Sequence, residues 1–234
     1  MKKNMNKMNK MMNNETIGQT AEYALCKYFN IECQINIKRI DTKIYESIVE
    51  QCKLFTFPKI KKSIGYKNNK VDYLCEDEKT LSLKTLKKND GKICPQLIGQ
   101  TTLKKWDQYW NLDFNGELSK NKERFEWIKS NIYLFLNEML RYTYCCDYLI
   151  LIRDCNKNPK IEYLRKIEPT YFTDQLIEYT RNNYEELYNE KKQKYSEFGT
   201  TLKIDNKSIG EIQFHKSSRQ QVKFRFFRSF LIQL

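Results

Sequence analysis

The residues best suited to chemistry in this sequence are Asp72, Ser82 and Lys84, which lie in two short apolar runs. These runs, Val71–Cys75 and Thr80–Leu86, flank a charged segment and are typical of the two strands of a hairpin. Ser82 and Lys84 are two residues apart, so their side chains leave the same face of the second strand. An Asp, a short polar residue and a Lys on one sheet face could bind a divalent cation and position an attacking water. That chemistry hydrolyses phosphodiesters.

The register of the hairpin decides whether Asp72 meets the other two residues. A loop centred on Asp77 places Asp72 opposite Ser82 and diagonal to Lys84, and a loop centred on Glu78 places it opposite Lys84. A loop centred between these two acidic residues would turn Asp72 to the wrong face. The site therefore requires an odd-numbered loop, which brings cross-strand neighbours to about 5 Å. The alternative is a surface hairpin whose Asp and Lys are only solvated.

The overall composition predicts a globular protein with an anionic partner. At 234 residues, of which 40% are hydrophobic, the chain is long enough for one buried core and a small appended lobe. Its formal charge of +13 favours nucleic acid or an acidic membrane surface. A membrane span is not expected, because the most apolar run, Ile132–Met139, is far short of roughly 20 residues. Residues 1–14 lack the apolar core of a signal peptide and are expected to form a disordered basic tail.

The cysteines argue against a zinc or disulfide framework. There are eight cysteines and one histidine, no two cysteines form a Cys-x-x-Cys pair, and most lie inside apolar stretches. Such cysteines are typical small core residues of a protein in a reducing cytoplasm.

The first predicted helix, Thr16–Phe29, carries an acidic residue beside its apolar stripe. This residue, Glu22, is either a solvated flank or a carboxylate that points at a metal bound to the next layer. Ile31–Arg39 is predicted as a strand, and Thr42–Leu54 as a second amphipathic stretch. The basic loop over 57–67 is either solvated or tracks a phosphate backbone, and its candidate lysines are Lys59, Lys61 and Lys62.

The segment after Lys84 is predicted to be a turn followed by a helix. The helix would start near Pro95, kink or break at Gly99, and continue to Trp110. Because this segment follows Lys84 directly, two of its residues could lie near a bound phosphate, namely Gln96 and Gln100. Two lysines on another face of the helix are candidate DNA-binding residues, Lys104 and Lys105.

The second half of the chain begins with the strongest helical pattern. Apolar residues at spacings of three and four predict a helix over Lys120–Tyr142, and the run Tyr148–Ile152 predicts a strand buried on both faces. A partner strand is predicted over Ile161–Ile167. A further helix is expected over 173–192.

The tail is predicted to be a β-rich lobe with strands over 200–204, 208–215 and 222–227. Alternation along the last strand gives an apolar inner face and a cationic outer face. Polar side chains of this lobe could contact DNA, the alternative being an ordinary half-solvated hairpin. The candidate DNA-binding residues here are Gln213, His215, Ser217, Ser218, Arg219, Gln220, Gln221, Lys223 and Arg225.

The order helix, strand, hairpin, helix and buried strand, with a basic β lobe behind it, resembles the restriction-endonuclease-like PD-(D/E)xK nuclease superfamily. The resemblance implies an α/β (α+β) fold with a mixed central β-sheet flanked by helices. Asp72 matches the metal-binding Asp of that family, Lys84 its catalytic Lys, and Glu22 a carboxylate of the first helix. There are two departures. Val71 replaces a Pro, and Ser82 replaces a second acidic residue.

The resemblance implies a Mg²⁺-dependent type II restriction endonuclease that cuts double-stranded DNA at a short specific sequence. A hydroxyl is a poorer ligand for Mg²⁺ than a carboxylate, so Asp72 and Glu22 would hold the metal, and the Ser82 hydroxyl or a nearby backbone carbonyl would complete the shell through water. The nuclease core would cover 15–155. A helical linker and DNA-recognition region would cover 156–234 and form one compact unit with the core.

The implied partners are double-stranded DNA and a companion DNA methyltransferase of the same system, with the chain acting as a monomer or homodimer. Two rival functions remain open on the sequence alone. One is a non-catalytic DNA-binding protein, in which the same basic surfaces bind without hydrolysis. The other is a repair or junction nuclease that recognises DNA structure instead of sequence.

Overall fold

The computed structural model describes residues 13–33, 40–65, 71–180, 198–215 and 220–233. Residues 31–33 of the strand predicted over 31–39 form no regular element, and the remainder of that segment lies outside the described residues. Most of the basic tail and three of the candidate DNA-binding residues also lie outside them: Ser217, Ser218 and Arg219.

The described chain contains both helices and strands. The helices are α1 Asn14–Tyr28, α2 Thr42–Leu54, α3 Leu103–Trp110, α4 Asn121–Ser130, α5 Ile132–Thr143 and α6 Arg228–Leu231, with a 3-10 turn at Leu118–Lys120. The strands are β1 Ile60–Ser63, β2 Tyr73–Cys75, β3 Thr80–Thr85, β4 Lys92–Ile93, β5 Gln100–Thr102, β6 Tyr148–Arg153, β7 Lys160–Leu164, β8 Glu178–Tyr179, β9 Phe198–Ile204, β10 Lys207–His215 and β11 Gln221–Phe227.

The first sheet has the strand order β1-β2-β3-β6-β7. It is mixed, because β3 and β6 pair in parallel while the other pairs of this sheet are antiparallel. The apolar run of β6 is buried on both faces, as its composition predicts. Ile150 and Ile152 face a core shared with α1 and α2, whereas Leu149 and Leu151 face a second core.

The two N-terminal helices form as their sequences predict, and each begins at a polar cap. Asn13 Oδ1 accepts a hydrogen bond from the Thr16 N–H (2.7 Å), and Asp41 Oδ1 accepts one from the Ile44 N–H (2.9 Å). The Asp41 N–H in turn donates to Thr20 Oγ1 (3.1 Å), which ties the start of α2 to α1. These helices therefore cover one face of the first sheet as a pair.

The second sheet has the strand order β4-β11-β10-β9-β8, and β5 also pairs with β11. Alternate residues of β10 and β11 point into the second core, among them Ile212, Phe214 and Phe224. A two-residue turn with positive φ at Asp205 and Asn206 joins β9 to β10, as expected for a tight hairpin. The tail is therefore a β-rich lobe, and its sheet also includes β4 and β5 from the first half of the chain.

Three predicted helices differ in the structure. Residues 94–99 form a turn instead of a helix, and helix α3 begins only after β5, at Leu103. The helix predicted over 120–142 is broken at Asn131, whose side chain donates to the Trp127 carbonyl. Residues 173–180 include β8 and form no helix, while 181–192 lie outside the described residues.

The segment predicted as a basic loop over 57–67 contains an edge strand, β1, which pairs with β2. The described part of the chain is a mixed α/β structure with helices and two sheets, as the sequence predicts at that level. No helix in the described residues is long and apolar enough to span a membrane. No disulfide joins the eight cysteines, all of which the structure describes.

Candidate active site

The β2–β3 hairpin has the register that places Asp72 opposite Ser82. Tyr73 pairs with Leu81 and Leu74 with Thr80, so the loop is centred on Asp77 and has an odd number of residues. The turn closes with a hydrogen bond from the Cys75 N–H to the Lys79 carbonyl (2.8 Å). Of the two odd registers that the sequence allows, this is the one in which Lys84 lies diagonal to Asp72.

The backbone and side chain of Asp72 are both fixed by hydrogen bonds. Its N–H donates to the Leu81 carbonyl (3.0 Å), and its own carbonyl accepts from Ile64 and Gly65 (2.9 and 3.0 Å). Its Oδ2 accepts from the Leu83 N–H at 2.7 Å. Burial raises the pKa of Asp72, and this hydrogen bond and the Lys84 ammonium oppose the rise. The Asp72 carboxylate is thus partly buried and held beside β3, and its other oxygen, Oδ1, takes no part in the hydrogen bond from Leu83.

Glu22 of α1 lies in the electrostatic field of the same group. The pKa of Glu22 is raised from 4.5 to about 7, mainly by burial and also by the Asp72 carboxylate, while the Lys84 ammonium opposes the rise. The structure therefore brings together three of the predicted site residues: Glu22, Asp72 and Lys84. Because the Glu22 carboxylate is strongly desolvated, the interpretation of Glu22 as a solvated residue on the flank of α1 does not fit the structure.

Tyr73 fixes the part of α1 that carries Glu22. Its side chain points away from Asp72, into the core under α1, where it is 1% exposed. Its hydroxyl donates to the Glu22 carbonyl at 3.1 Å. Sequence reasoning missed this residue, although its place next to Asp72 on the opposite face of β2 was available from the alternation of the strand.

In the Mg²⁺-dependent nuclease that the sequence resemblance implies, we expect Tyr73→Phe to lower DNA cleavage more than its small change in size suggests. The substitution keeps the ring but removes the hydrogen bond to α1, at a cost of about 1 kcal/mol in unfolding free energy. Looser placement of Glu22 should then raise the Mg²⁺ concentration required for half-maximal cleavage. Thermal unfolding and a Mg²⁺ titration of cleavage would test this, with Tyr163→Phe as the control because that hydroxyl bonds the distant Thr56 carbonyl. An unchanged Mg²⁺ requirement for Tyr73→Phe would contradict the expectation.

Ser82 lies where the register predicts, but its surroundings are those of a core residue. It is 1% exposed and hydrogen-bonds Cys146, whose pKa is raised to about 11 by burial. Its position opposite Asp72 agrees with the predicted site. The structure thus places Ser82 between Asp72 and the second core, and its predicted role as a metal ligand stays a prediction.

Lys84 also lines a cleft of about 570 Å³ between the end of β3 and the second sheet. Six cationic side chains line this cleft: Lys84, Lys87, Lys88, Lys92, Lys223 and Arg225. Asp90 is the one acidic side chain among the described residues of its lining. Burial lowers the pKa of Lys92, and the charges of Arg225 and Lys223 lower it further, which shows how closely like charges gather here. Such a surface favours a polyanion.

The remaining predicted residues divide between this cleft and the outer surface. Gln100 lines the cleft, whereas Gln96 is absent from its described lining and donates its N–H to the Tyr142 carbonyl (3.0 Å). Lys59 and Lys61 form exposed ion pairs with Glu76 and Glu78 (3.6 and 2.6 Å). Also exposed are Lys62, Lys104, Lys105 and Gln220.

The β10 and β11 residues predicted to contact DNA share the polar face of the second sheet. Gln213 pairs with Lys223, and His215 pairs with Gln221, which also bonds Gln100 across to β5 (3.1 Å). Burial lowers the pKa of His215, as do the charges of Lys223 and Arg225. The predicted division of the last strand, β11, into an apolar inner face and a cationic outer face is confirmed.

The chemistry of the donor set can be compared with that of known metal sites. In the described residues, no group of three or more His, Cys, Asp or Glu side chains is arranged to hold a metal. The site instead offers the two carboxylates of Glu22 and Asp72. That number suits Mg²⁺, which commonly keeps several waters and binds one or two carboxylates together with substrate phosphates.

Comparison with known proteins adds one relative. No protein-family model matches the chain. The type II restriction enzyme CviAII from Paramecium bursaria Chlorella virus 1 is 34% identical over 156 residues, which make up 67% of this chain. The same residues cover 41% of that enzyme, so the chain spans about two fifths of the length of its relative. The chain is therefore similar to part of a restriction enzyme.

Proposed function

We propose that this protein is a Mg²⁺-dependent type II restriction endonuclease of the PD-(D/E)xK kind, which hydrolyses double-stranded DNA at a short specific sequence. The observation that carries the proposal is the placement of Asp72 beside Lys84, with Glu22 near both, where Lys84 also enters a cation-lined cleft. Similarity to a type II restriction enzyme supports the same conclusion.

The two carboxylates favour catalysis over simple DNA binding. A basic cleft that only holds DNA gains nothing from buried carboxylates near its wall, because they repel phosphates. Asp72 and Glu22 would hold Mg²⁺, which would neutralise charge on the scissile phosphate and lower the pKa of a water molecule. With that cation bound, the same two side chains attract the phosphate that they would otherwise repel.

The position of Lys84 supports a proposed role in stabilising the transition state. It interacts electrostatically with Asp72 and Glu22 on one side and lines the cleft on the other. Its ammonium would orient the attacking water and offset the charge that develops on the phosphate oxygens. The lysines that follow it, Lys87 and Lys88, would hold neighbouring phosphates and provide affinity without sequence preference.

Incubation of the purified chain with supercoiled plasmid tests the function directly. We expect nicked and linear products in Mg²⁺ and intact plasmid in EDTA. Phage DNA should then give a discrete set of fragments, since sequence-specific cleavage produces bands and structure-specific cleavage does not. Plasmid that is bound but never cut in Mg²⁺ would show a non-catalytic DNA-binding protein. Phage DNA that is cut without giving discrete bands would show a repair or junction nuclease.

The Mg²⁺ requirement should depend on pH with a defined sign. A proton on Glu22 competes with the metal, and the pKa of Glu22 is about 7. The Mg²⁺ concentration for half-maximal cleavage should therefore fall as pH rises to about 7, by up to about tenfold per pH unit, and then level off. Mg²⁺ titrations of cleavage between about pH 6 and pH 8.5 measure this. A requirement that rises with pH would contradict the assignment of Glu22.

A further inference from the structure

The polar face of the second sheet contains one carboxylate that the sequence did not single out. Glu211 of β10 lies directly opposite Arg225 of β11, and two residues further along β10 is Gln213. These three side chains share one face by the period-two alternation of the strands. Arg225 also lines the cleft that Lys84 enters.

Glu211 is the centre of a hydrogen-bond network on that face. Its Oε2 accepts from Lys92, and its Oε1 accepts from Gln213 and, at 3.3 Å, from Arg225. Arg225 donates from the same nitrogen to Gln213 Oε1 at 3.2 Å. The amide of Gln213 is thus fixed at both ends, by a carboxylate at its nitrogen and a guanidinium at its oxygen.

We propose that Glu211 is a positioning residue for sequence recognition, which holds Arg225 and Gln213 as a paired reader of base edges. This inference rests on the proposed function. The side chain of Glu211 is 9% exposed and both of its oxygens are engaged, so it acts through its neighbours. The side chain of Arg225 is 25% exposed and reaches the cleft.

The donors that Arg225 retains suit a guanine edge. Its Nε is buried and makes no hydrogen bond within the described residues, and its bonds to Glu211 and Gln213 both use Nη2, so the donors left for a ligand are the two N–H groups of Nη1. A guanidinium that presents two donors matches the O6 and N7 acceptors of guanine in the major groove. The direction of that fork depends on the carboxylate behind it, because a long, unanchored side chain would sample many rotamers.

Glu211 also makes the cluster of charges possible. Burial lowers the pKa of Lys92, and Arg225 and Lys223 lie close enough that their charges lower it as well. A single carboxylate between two of these cations offsets their repulsion and keeps them on the sheet, while the cleft as a whole stays cationic.

The experiment is selection from a duplex library with a randomised centre, with Ca²⁺ in place of Mg²⁺ so that bound duplexes stay intact. Wild-type protein should enrich one motif. Glu211→Gln should reduce the preference for guanine at one motif position by about tenfold, and Arg225→Lys should reduce it at the same position, because lysine keeps the charge but lacks the fork. Affinity of both variants for the whole library should stay within about twofold of wild type, with an unchanged salt slope.

Glu162→Gln is the matched control. Its carboxylate also bonds two arginines, Arg153 and Arg228, but it does not appear in the described lining of the cleft. We expect this variant to enrich the wild-type motif. If Glu211→Gln enriched the wild-type motif unchanged, the inference about Glu211 would fail and the proposed function would stand. The same would follow if the variant lost base preference equally at every position of the motif and also had a lower unfolding temperature. Failure of the wild-type protein to enrich any motif would overturn the proposed sequence specificity as well.

Discussion

Lys84→Ala is expected to reduce DNA cleavage by about a thousandfold or more while largely preserving DNA binding. Lys84 interacts with both carboxylates and lines the cleft, where it would act on the charge that develops in the transition state. An interaction made mainly in the transition state affects the rate of the chemical step far more than substrate affinity. Single-turnover cleavage of plasmid in Mg²⁺ and filter binding of a short duplex would measure the two quantities separately.

Lys87→Ala is the matched control for this variant. Lys87 lines the same cleft three residues further along the chain and carries the same charge. Its loss should weaken binding and flatten the salt dependence, with single-turnover cleavage at saturating protein changed only a few-fold. If Lys84→Ala cleaved DNA at a rate within a few-fold of wild type, the assignment of Lys84 as a catalytic residue would be contradicted. Equal effects of the two substitutions would mean that Lys84 is one phosphate contact among several.

The candidate site could be predicted because two of its residues are close together in the sequence. Asp72 and Lys84 lie in one hairpin, so alternation along two adjacent strands fixes their faces, and a short loop leaves few registers. Glu22 is distant in sequence by comparison. Its position relative to Asp72 depends on how α1 packs against β2, which the structure shows through the hydrogen bond from Tyr73.

The cleft could not be predicted, because it depends on strand pairs that are remote in sequence. Phe226 of β11 pairs with Ile93 of β4, and Lys223 with Gln100 of β5. No local sequence pattern predicts which remote strands pair with each other. The same pairings explain why the helix predicted from Pro95 forms only over Leu103–Trp110, since residues 100–102 satisfy their backbone in the sheet instead of in a helix. Glu211 could have been identified from the sequence, because it lies two residues from Gln213 and therefore on the same face of one strand.

Glu22→Gln is expected to reduce cleavage by orders of magnitude and yet to stabilise the metal-free protein. The pKa of Glu22 is raised from 4.5 to about 7 in the folded state. A raised carboxyl pKa gives stability that is present below the unfolded value and is lost as pH rises through the folded value. Above about pH 7 the charged Glu22 therefore costs about 3 kcal/mol of unfolding free energy, which a neutral glutamine of similar shape avoids.

Urea unfolding of wild type and Glu22→Gln in EDTA, at about pH 5 and about pH 8, would measure the effect. The variant should be clearly more stable than wild type at the higher pH, and the difference should shrink at the lower one. Mg²⁺ should reverse the order by stabilising wild type alone, since a ligand stabilises only the folded state that binds it.

Ser82→Ala separates the two candidates for the missing acidic residue. Ser82 is 1% exposed and bonds Cys146, so its loss should change stability slightly and cleavage much less than the loss of Glu22. The opposite ranking, with cleavage lost in Ser82→Ala and kept in Glu22→Gln, would make the hydroxyl the metal ligand. Glu22 would then be a buried carboxylate whose raised pKa serves no catalytic purpose, and its substitution would stabilise the protein at no cost in activity.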